Sequence, residues 1–277
     1  NSIHGLYNKR PKYVNKKNLE KSKIKKIFLK HQGVDLIPVL ENKKVIDIIT
    51  WEQVFSYDEY LKKVTIVIMA GGRGSRLLPF THVLPKPLIP INDTPIINLI
   101  IKQFKKYNAK NFWISVNFKS NIIKTYLKTA KLNVKINYIN EKIPLGTIGS
   151  LRSIMNKNIS ENLIVSNCDI LIKSNLNNLY QYHLKKKLDL TLVVATKKYK
   201  IPYGSCKIGS NGILNKIDEK PEYEHFINTG LYIFNRKILK YIPKNEFCDL
   251  NNLVKTVKKY KKKVGVYPID EQSWLDF

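Results

Sequence analysis

The chain has 277 residues, 43% of them hydrophobic, with 49 basic against 21 acidic residues and a formal net charge of +28. This length holds one large or two modest domains, and no apolar run approaches the roughly 18 residues that a membrane span needs. The charge does not single out nucleic acid, because 44 of the 49 basic residues are Lys and only 5 are Arg, and a nucleic-acid binder draws on the planar arginine fork.

Lys, Asn and Ile share A/T-rich codons, so background composition accounts for the basic excess. The positive field still favours anionic substrates such as nucleoside triphosphates. Cys168, Cys206 and Cys248 form no CxxC pair and no zinc spacing. A reduced, cytoplasmic protein is the expectation. The opening NSIHGLYNKRPKYVNKKN lacks the apolar middle of a signal peptide. The chain begins on Asn1 rather than Met, which points to a piece of a longer protein.

Residues 1–17 are polar and basic and are expected to be extended or disordered. From Asn18 to His31, apolar residues at Leu19, Ile24, Ile27 and Phe28 predict an amphipathic helix that Gly33 ends. DLIPVLE and KVIDIIT predict two short strands around the turn Asn42–Lys43. TWEQVFSYDEYLKK predicts a helix, with Thr50 as N-cap and Gln53 completing a capping box. This helix–strand–strand–helix order, over about residues 18–62, resembles one CBS motif. Such motifs work in pairs and bind adenine nucleotides between them. With one motif visible, a docking or dimerisation appendage is the alternative.

From Val64 the pattern changes. TIVIMAG reads as a fully apolar strand. TPIINLIIKQFKKYNA reads as a helix with Thr94 as N-cap and Pro95 at its first position. NFWISVN, VKINYIN, ENLIVSNCDI and DLTLVVAT read as strands. SNIIKTYLKTA, GSLRSIM and NLNNLYQYHLKKK read as the helices between them. This alternation predicts a doubly wound, Rossmann-like α/β domain with a mostly parallel sheet over residues 64–277, after a small α+β segment over residues 1–62.

The chemistry concentrates after the first of these strands. Gly71, Gly72 and Gly74 follow TIVIM directly, and glycine lets backbone N–H groups approach an anion closely. A P-loop needs a Lys that is missing here. A dinucleotide fingerprint read from Gly72 fails at Leu77. What remains is G-G-x-G-S-R-L-x-P-x-T followed by LPKPLIPI.

That compound pattern resembles the sugar-nucleotide pyrophosphorylases, the nucleotidyltransferases that act on sugar 1-phosphates. The resemblance covers about residues 64–277. It implies that a sugar 1-phosphate oxygen attacks the α-phosphorus of an NTP and that pyrophosphate leaves. Arg76 would hold the triphosphate and the departing pyrophosphate, and Lys86 would bind phosphate near the reacting phosphorus. Ala70, Gly71, Gly72 and Gly74 would cradle the nucleotide, together with Gly146 and Thr147 of NEKIPLGTIGSL. Asp169, at the carboxyl end of ENLIVSNCDI, and Asp276 of SWLDF would hold Mg²⁺. Cys168 stands where the family places Gly. Glu141, Gly204 of the Tyr203–Gly204 pair, Glu219 and Lys220 of EKP, and Asn228, Thr229 and Gly230 of FINTGLYIF would bind the sugar phosphate.

SWLDF stops where family members continue, so a longer C-terminus is expected. The CBS-plus-transferase layout, the NCD variant and the lack of an acyltransferase or β-helix extension resemble guanylyltransferases for mannose, heptose or glucosamine 1-phosphate in surface-glycan pathways. That favours GTP, with CTP, UTP and dTTP open. A homo-oligomer fits this reading, and membrane or nucleic-acid partners do not. A non-catalytic nucleotide-binding subunit is the rival. It should lack Arg76, Lys86 or Asp169, and all three are present.

Overall fold

The computed structural model describes residues 11–30, 34, 36–50 and 59–277. The chain divides into two compact units, Asn1–Asp58 and Glu59–Phe277.

In the first unit, β1 (Val14–Asn15) pairs in parallel with β2 (Leu36–Glu41), and β2 pairs antiparallel with β3 (Lys44–Thr50). Asn42 and Lys43 both take positive φ, 50° and 64°, the twist a two-residue hairpin requires. The helix Lys21–Lys30 buries Ile24 and Phe28 against Val14, Ile37 and Val39. Gly33 and residues 51–58, the bulk of the helix expected from Thr50, lie outside the described residues. Val14–Asn15 is strand, inside the stretch expected to be extended or disordered.

The second unit is built on β4 (Thr65–Met69), whose residues Thr65, Ile66, Val67 and Ile68 are fully buried. A strand apolar on both faces belongs in the middle of a sheet covered on both sides. β4 pairs in parallel with β7 (Asn111–Val116) and β9 (Asn162–Asn167), and β7 pairs in parallel with β8 (Lys135–Asn140). Beyond β9 the direction changes. β14 (Glu222–Asn235) runs antiparallel to both β9 and β11 (Leu190–Lys200), and β15 (Val264–Asp270) then pairs in parallel with β11. The seven-stranded order is β15-β11-β14-β9-β4-β7-β8, mostly parallel as expected, with one reversed strand.

Register assigns the two faces. Ile66 lies beside Phe112 on one face, where Phe104 of the helix Ile96–Lys105 meets Phe112 edge-on at 6.4 Å. Val67 lies beside Trp113 and Val165 on the other. There Val67 and Val165 pack with Leu151, Leu253 and Val257, from the 3-10 helix Gly149–Ile154 and the α-helix Leu250–Lys259.

One helix start differs from expectation. Thr94 does not cap the helix, because the left-handed pair Asn92 and Asp93 turns the chain into a hairpin of β5 (Pro90–Ile91) against β6 (Thr94–Pro95). Thr94 is used there, and the helix begins at Ile96. Among the described residues no helix is long and apolar enough to cross a membrane.

Candidate active site

The carboxyl ends of β4 and β9 lie side by side, with Met69 opposite Asn167. Ligands of open α/β sheets bind at such ends. Here the chain leaves β4 through the glycine loop, with the Ala70 N–H donating to the Ser115 carbonyl at 2.9 Å. Two of the glycines are closely packed. At Gly71 a Cβ would stand 2.8 Å from Glu141 Oε1. Gly74 has φ +66°, and a Cβ there would meet Lys86 Cβ and Thr81 Cγ2 at 2.9 Å. The Thr81 hydroxyl donates to the Gly74 carbonyl at 3.2 Å and fixes the return of the loop. Lys119 Nζ donates to the carbonyls of Thr81, His82 and Val83, tying the next turn to the start of the helix Ser120–Thr129.

Lys86 sits in a short 3-10 turn, Lys86–Leu88, closed by the Leu88 N–H donating to the Pro85 carbonyl at 2.8 Å. Its Nζ donates to Asp169 Oδ2 at 2.7 Å, and the two side chains are only 11% and 20% exposed. Asp169 Oδ1 is buried and meets no hydrogen-bond donor among the described residues. A buried carboxylate oxygen left bare is costly unless a cation or ligand completes it. The neighbouring Cys168 thiol is pushed up to about 12, mainly by burial and then by the Asp169 charge, against the opposing pull of Lys86. It is therefore a neutral wall rather than a nucleophile.

These groups border a cavity of about 450 Å³. Gly71, Gly72, Gly74 and Ser75 form one side, with Lys86 and Asp169 at one end. Glu141, which stands against Gly71, also lines the cavity, together with Gly146, Thr147, Phe247 and Asp249. Glu141 is held in place: its carboxylate accepts from the Ser115 hydroxyl and from the Leu145 N–H, the latter at 3.2 Å. The Asp249 carboxylate accepts from the Thr147 N–H at 3.2 Å and from its hydroxyl at 3.3 Å. That fixes the Gly146–Thr147 turn from a segment 102 residues away in sequence.

The structure thus gathers Gly71, Gly72, Gly74, Lys86, Glu141, Gly146, Thr147 and Asp169 around one cavity. Asp276 approaches by backbone pairing. β10 (Ile170–Ile172) runs antiparallel to β16 (Trp274–Asp276), with Asp276 opposite Ile170 and the Phe277 N–H donating to the Asp169 carbonyl at 2.9 Å. The Arg76 side chain lies outside the described structure, although its backbone forms part of the 3-10 turn Ser75–Leu77.

The expected sugar residues are more dispersed. Gly204 and Glu219 are neighbours, a Cβ on Gly204 standing 3.2 Å from Glu219 Oε2. They flank the exposed hairpin β12 (Ser205–Ile208) and β13 (Leu214–Asp218), with Lys220 exposed just beyond. None of these three borders the cavity. Asn228 donates to the Tyr232 hydroxyl at 3.0 Å. Gly230 packs against the side chain of Asn167, a residue that lines the cavity. The Thr229 hydroxyl is buried and donates to the Val193 carbonyl at 2.9 Å, so it is occupied within the sheet.

Sequence reasoning missed Ser75, Asn167, Phe247 and Asp249. Ser75 and Asn167 stand next to residues it selected. Phe247 and Asp249 carry no local signal, because only the tertiary fold brings them to the cavity, Asp249 onto Thr147.

Residues 65–277 match the family model described as nucleotidyl transferase. The chain belongs to this family. Among similar nucleotidyl transferases, the D-glycero-alpha-D-manno-heptose 1-phosphate guanylyltransferase of Aneurinibacillus thermoaerophilus is 30% identical over 174 residues, 63% of this chain and 76% of that protein. The enzyme of the same name from Campylobacter jejuni is 29% identical, over 73% of this chain and 90% of its own. The UTP--glucose-1-phosphate uridylyltransferase of Synechocystis is 28% identical, but the match spans about half, 52%, of its length. The crystal structure of HddC from Yersinia pseudotuberculosis complexed with GMP-PN shares the fold, with a TM-score of 0.60 and 24% identity over 77% of this chain and 93% of that one.

Proposed function

We propose that this nucleotidyl transferase joins a sugar 1-phosphate to a nucleoside triphosphate, GTP in preference, giving a nucleotide sugar and pyrophosphate. The observation that carries the reading is the buried Lys86–Asp169 pair at the end of a cavity walled by the glycine loop. In the reaction a phosphate oxygen of the sugar phosphate attacks the α-phosphorus, and the bond to the bridging oxygen of pyrophosphate breaks. Two polyanions must approach each other, so the protein's task is positioning and charge neutralisation. Lys86, aimed by Asp169, supplies a cation beside the reacting phosphorus. Backbone N–H groups of the glycine loop hold the triphosphate, and Arg76 steadies the departing pyrophosphate.

The bare Asp169 Oδ1 suits a Mg²⁺ ion, with Asp276 as the second carboxylate. Among the described residues no three acidic, His or Cys side chains converge, so water and phosphate oxygens would complete the shell. Such an ion would draw off charge from the phosphates.

Glu141, expected on the sugar side, fits the nucleoside side better, because it shares the cavity wall with Gly71 and Leu145. A carboxylate only accepts, and it offers about four lone-pair sites, two of them used here. Guanine presents N1–H and N2–H₂ side by side, whereas uracil and thymine present one N–H. This supports GTP, as do the names of the guanylyltransferase relatives. Glu219, Lys220 and Asn228 would then receive the sugar phosphate beyond Asn167.

For the first unit, one CBS-like motif supports a docking or homo-oligomerising role, with an adenine nucleotide bound only where a second motif completes the pair. The three free cysteines and a nucleotide substrate support a cytoplasmic location. The test is pyrophosphate release across four NTPs and a panel of sugar 1-phosphates with Mg²⁺. GTP should give the highest kcat/KM. Nucleotide binding with no turnover for any pair overturns the enzymatic reading.

A further inference from the structure

A second, larger cavity of about 770 Å³ lies behind the wall of the first. Glu141 and Leu145 border both. The second cavity differs in charge. Lys142, Arg152 and Lys244 line it, and Glu141 is its only carboxylate among the described lining residues. Glu141 is already engaged by Ser115 and the Leu145 N–H. Lys142, Arg152 and Lys244 make no ion pair among the described residues.

Arg152 is one of five arginines in a chain that otherwise uses lysine. Its Nη1 donates to the Leu239 carbonyl at 3.1 Å and rests 3.3 Å from Met155 Sδ. The guanidinium is thereby anchored at one corner, and its Nε and Nη2 meet no acceptor among the described residues. A guanidinium fixed on one side is a preorganised receptor for phosphate on the other. Ile139, Ile143 and Met155 add an apolar wall, and Asn140, Asn156 and Asn245 add amides that can read a base or ribose.

We propose that this second cavity binds a nucleoside phosphate, with the phosphate on Arg152, Lys142 and Lys244 and the nucleoside against Ile139, Ile143 and Met155. Because Glu141 and Leu145 belong to both walls, occupancy of one cavity changes the affinity of the other. By linkage the effect is reciprocal. The binding stands on its own geometry, and the coupling rests on the function proposed for the first cavity.

Equilibrium dialysis with labelled GDP on the full chain separates the two sites. Gly72→Asp places an anion in the phosphate loop without a clash, since a Cβ at Gly72 meets nothing within 4 Å. Lys142→Glu with Lys244→Glu reverses the second cavity at two exposed positions. Wild type should bind two equivalents and each variant one. The lysine variant should also shift the remaining GDP affinity by about fivefold or more. Unchanged unfolding midpoints show that the variants fold, and Arg152→Gln provides an independent check of the same site.

If the lysine variant and Arg152→Gln bind as many equivalents as wild type, the second site does not exist. If wild type binds one equivalent, lost only in Gly72→Asp, the proposal is also overturned. If that single equivalent is lost only in the lysine variant, the second site stands and the reading of the first cavity fails. No binding by wild type overturns both.

Discussion

Lys86 Nζ and Asp169 Oδ2 lie 2.7 Å apart although 83 residues separate them in sequence. The pair couples the turn after the glycine loop to the end of β9. Both side chains are largely out of water, so neither partner is readily replaced alone. Lys86→Met should lower kcat by about 100-fold or more and destabilise the fold by about 2–4 kcal/mol, since Asp169 is left buried and unpaired. Asp169→Asn should cost less stability and comparable activity. Urea unfolding and pyrophosphate release measure the two effects, and a Lys86→Met enzyme with wild-type kcat would remove Lys86 from the chemistry.

The glycine loop yields a contrast between neighbours. Gly74→Ala should destabilise by about 1–3 kcal/mol, because a positive φ and two 2.9 Å contacts oppose the new methyl group. Gly72→Ala should change stability by less than about 1 kcal/mol, having open space. Equal midpoints in urea for the two variants would contradict this assignment of strain.

Asp249 acts through Thr147. Asp249→Ala frees the Thr147 N–H and hydroxyl and loosens the Gly146–Thr147 turn. The KM for NTP should rise by about five- to thirtyfold, in keeping with roughly 1–2 kcal/mol of lost hydrogen bonding. The kcat should fall little. A fall in kcat with KM unchanged would place Asp249 at the reacting phosphorus instead.

Glu141→Gln replaces an acceptor-only group by an amide. On the proposed base-reading role, kcat/KM for GTP should fall by about 10- to 100-fold, and the preference over UTP should narrow. Equal losses for all four NTPs would return Glu141 to a role shared by every substrate.

His183 gives a pH dependence of stability. Its ring is buried, with Nε2 3.2 Å from Asn162 Oδ1 and Nδ1 2.8 Å from the Thr191 hydroxyl. Asn162 Oδ1 only accepts, so Nε2 carries the proton and Nδ1 accepts from Thr191. Burial pushes the pKa down from 6.5 to about 4, against a smaller upward pull from Asp189. The unfolded chain therefore binds this proton near pH 6.5 and the folded chain only near pH 4. This contribution is full above about pH 6.5 and is lost as pH falls toward 4, about 3 kcal/mol in all. His183→Gln should flatten that part of the curve in urea melts between pH 4 and 7. An unchanged slope would mean that His183 titrates normally.

What could be read in advance follows from distance along the chain. β4 and its glycines are consecutive, so strand, turn and anion site appear together in TIVIMAGGRG. Lys86 was legible through its flanking prolines and Asp169 through its place at a strand end. Thr94 misled because a side chain suited to capping also suits a hairpin, and the Asn92–Asp93 turn decided between them. The reversal of β14 was not legible, since an apolar strand of either direction has the same composition. Phe247 and Asp249 were hidden for a further reason. The partner of Asp249, Thr147, lies about a hundred residues away, and nothing in NEFCDL distinguishes a cavity wall from a loop.

β14 crosses the sheet against its neighbours and brings Gly230 to Asn167 from the middle of a strand. The two halves of the site therefore differ in how they can change. On the glycine-loop and Thr147 sides, insertions between strands can lengthen or reshape a wall while the sheet stays intact. Gly230 sits where the pairing with β11 already shifts register, so a further inserted residue must be absorbed in that bulge or else displace Leu231–Asn235 from β9 and turn their buried side chains outward. New specificity on that side must come from exchanging side chains one at a time, whereas the opposite wall can be rebuilt in whole segments.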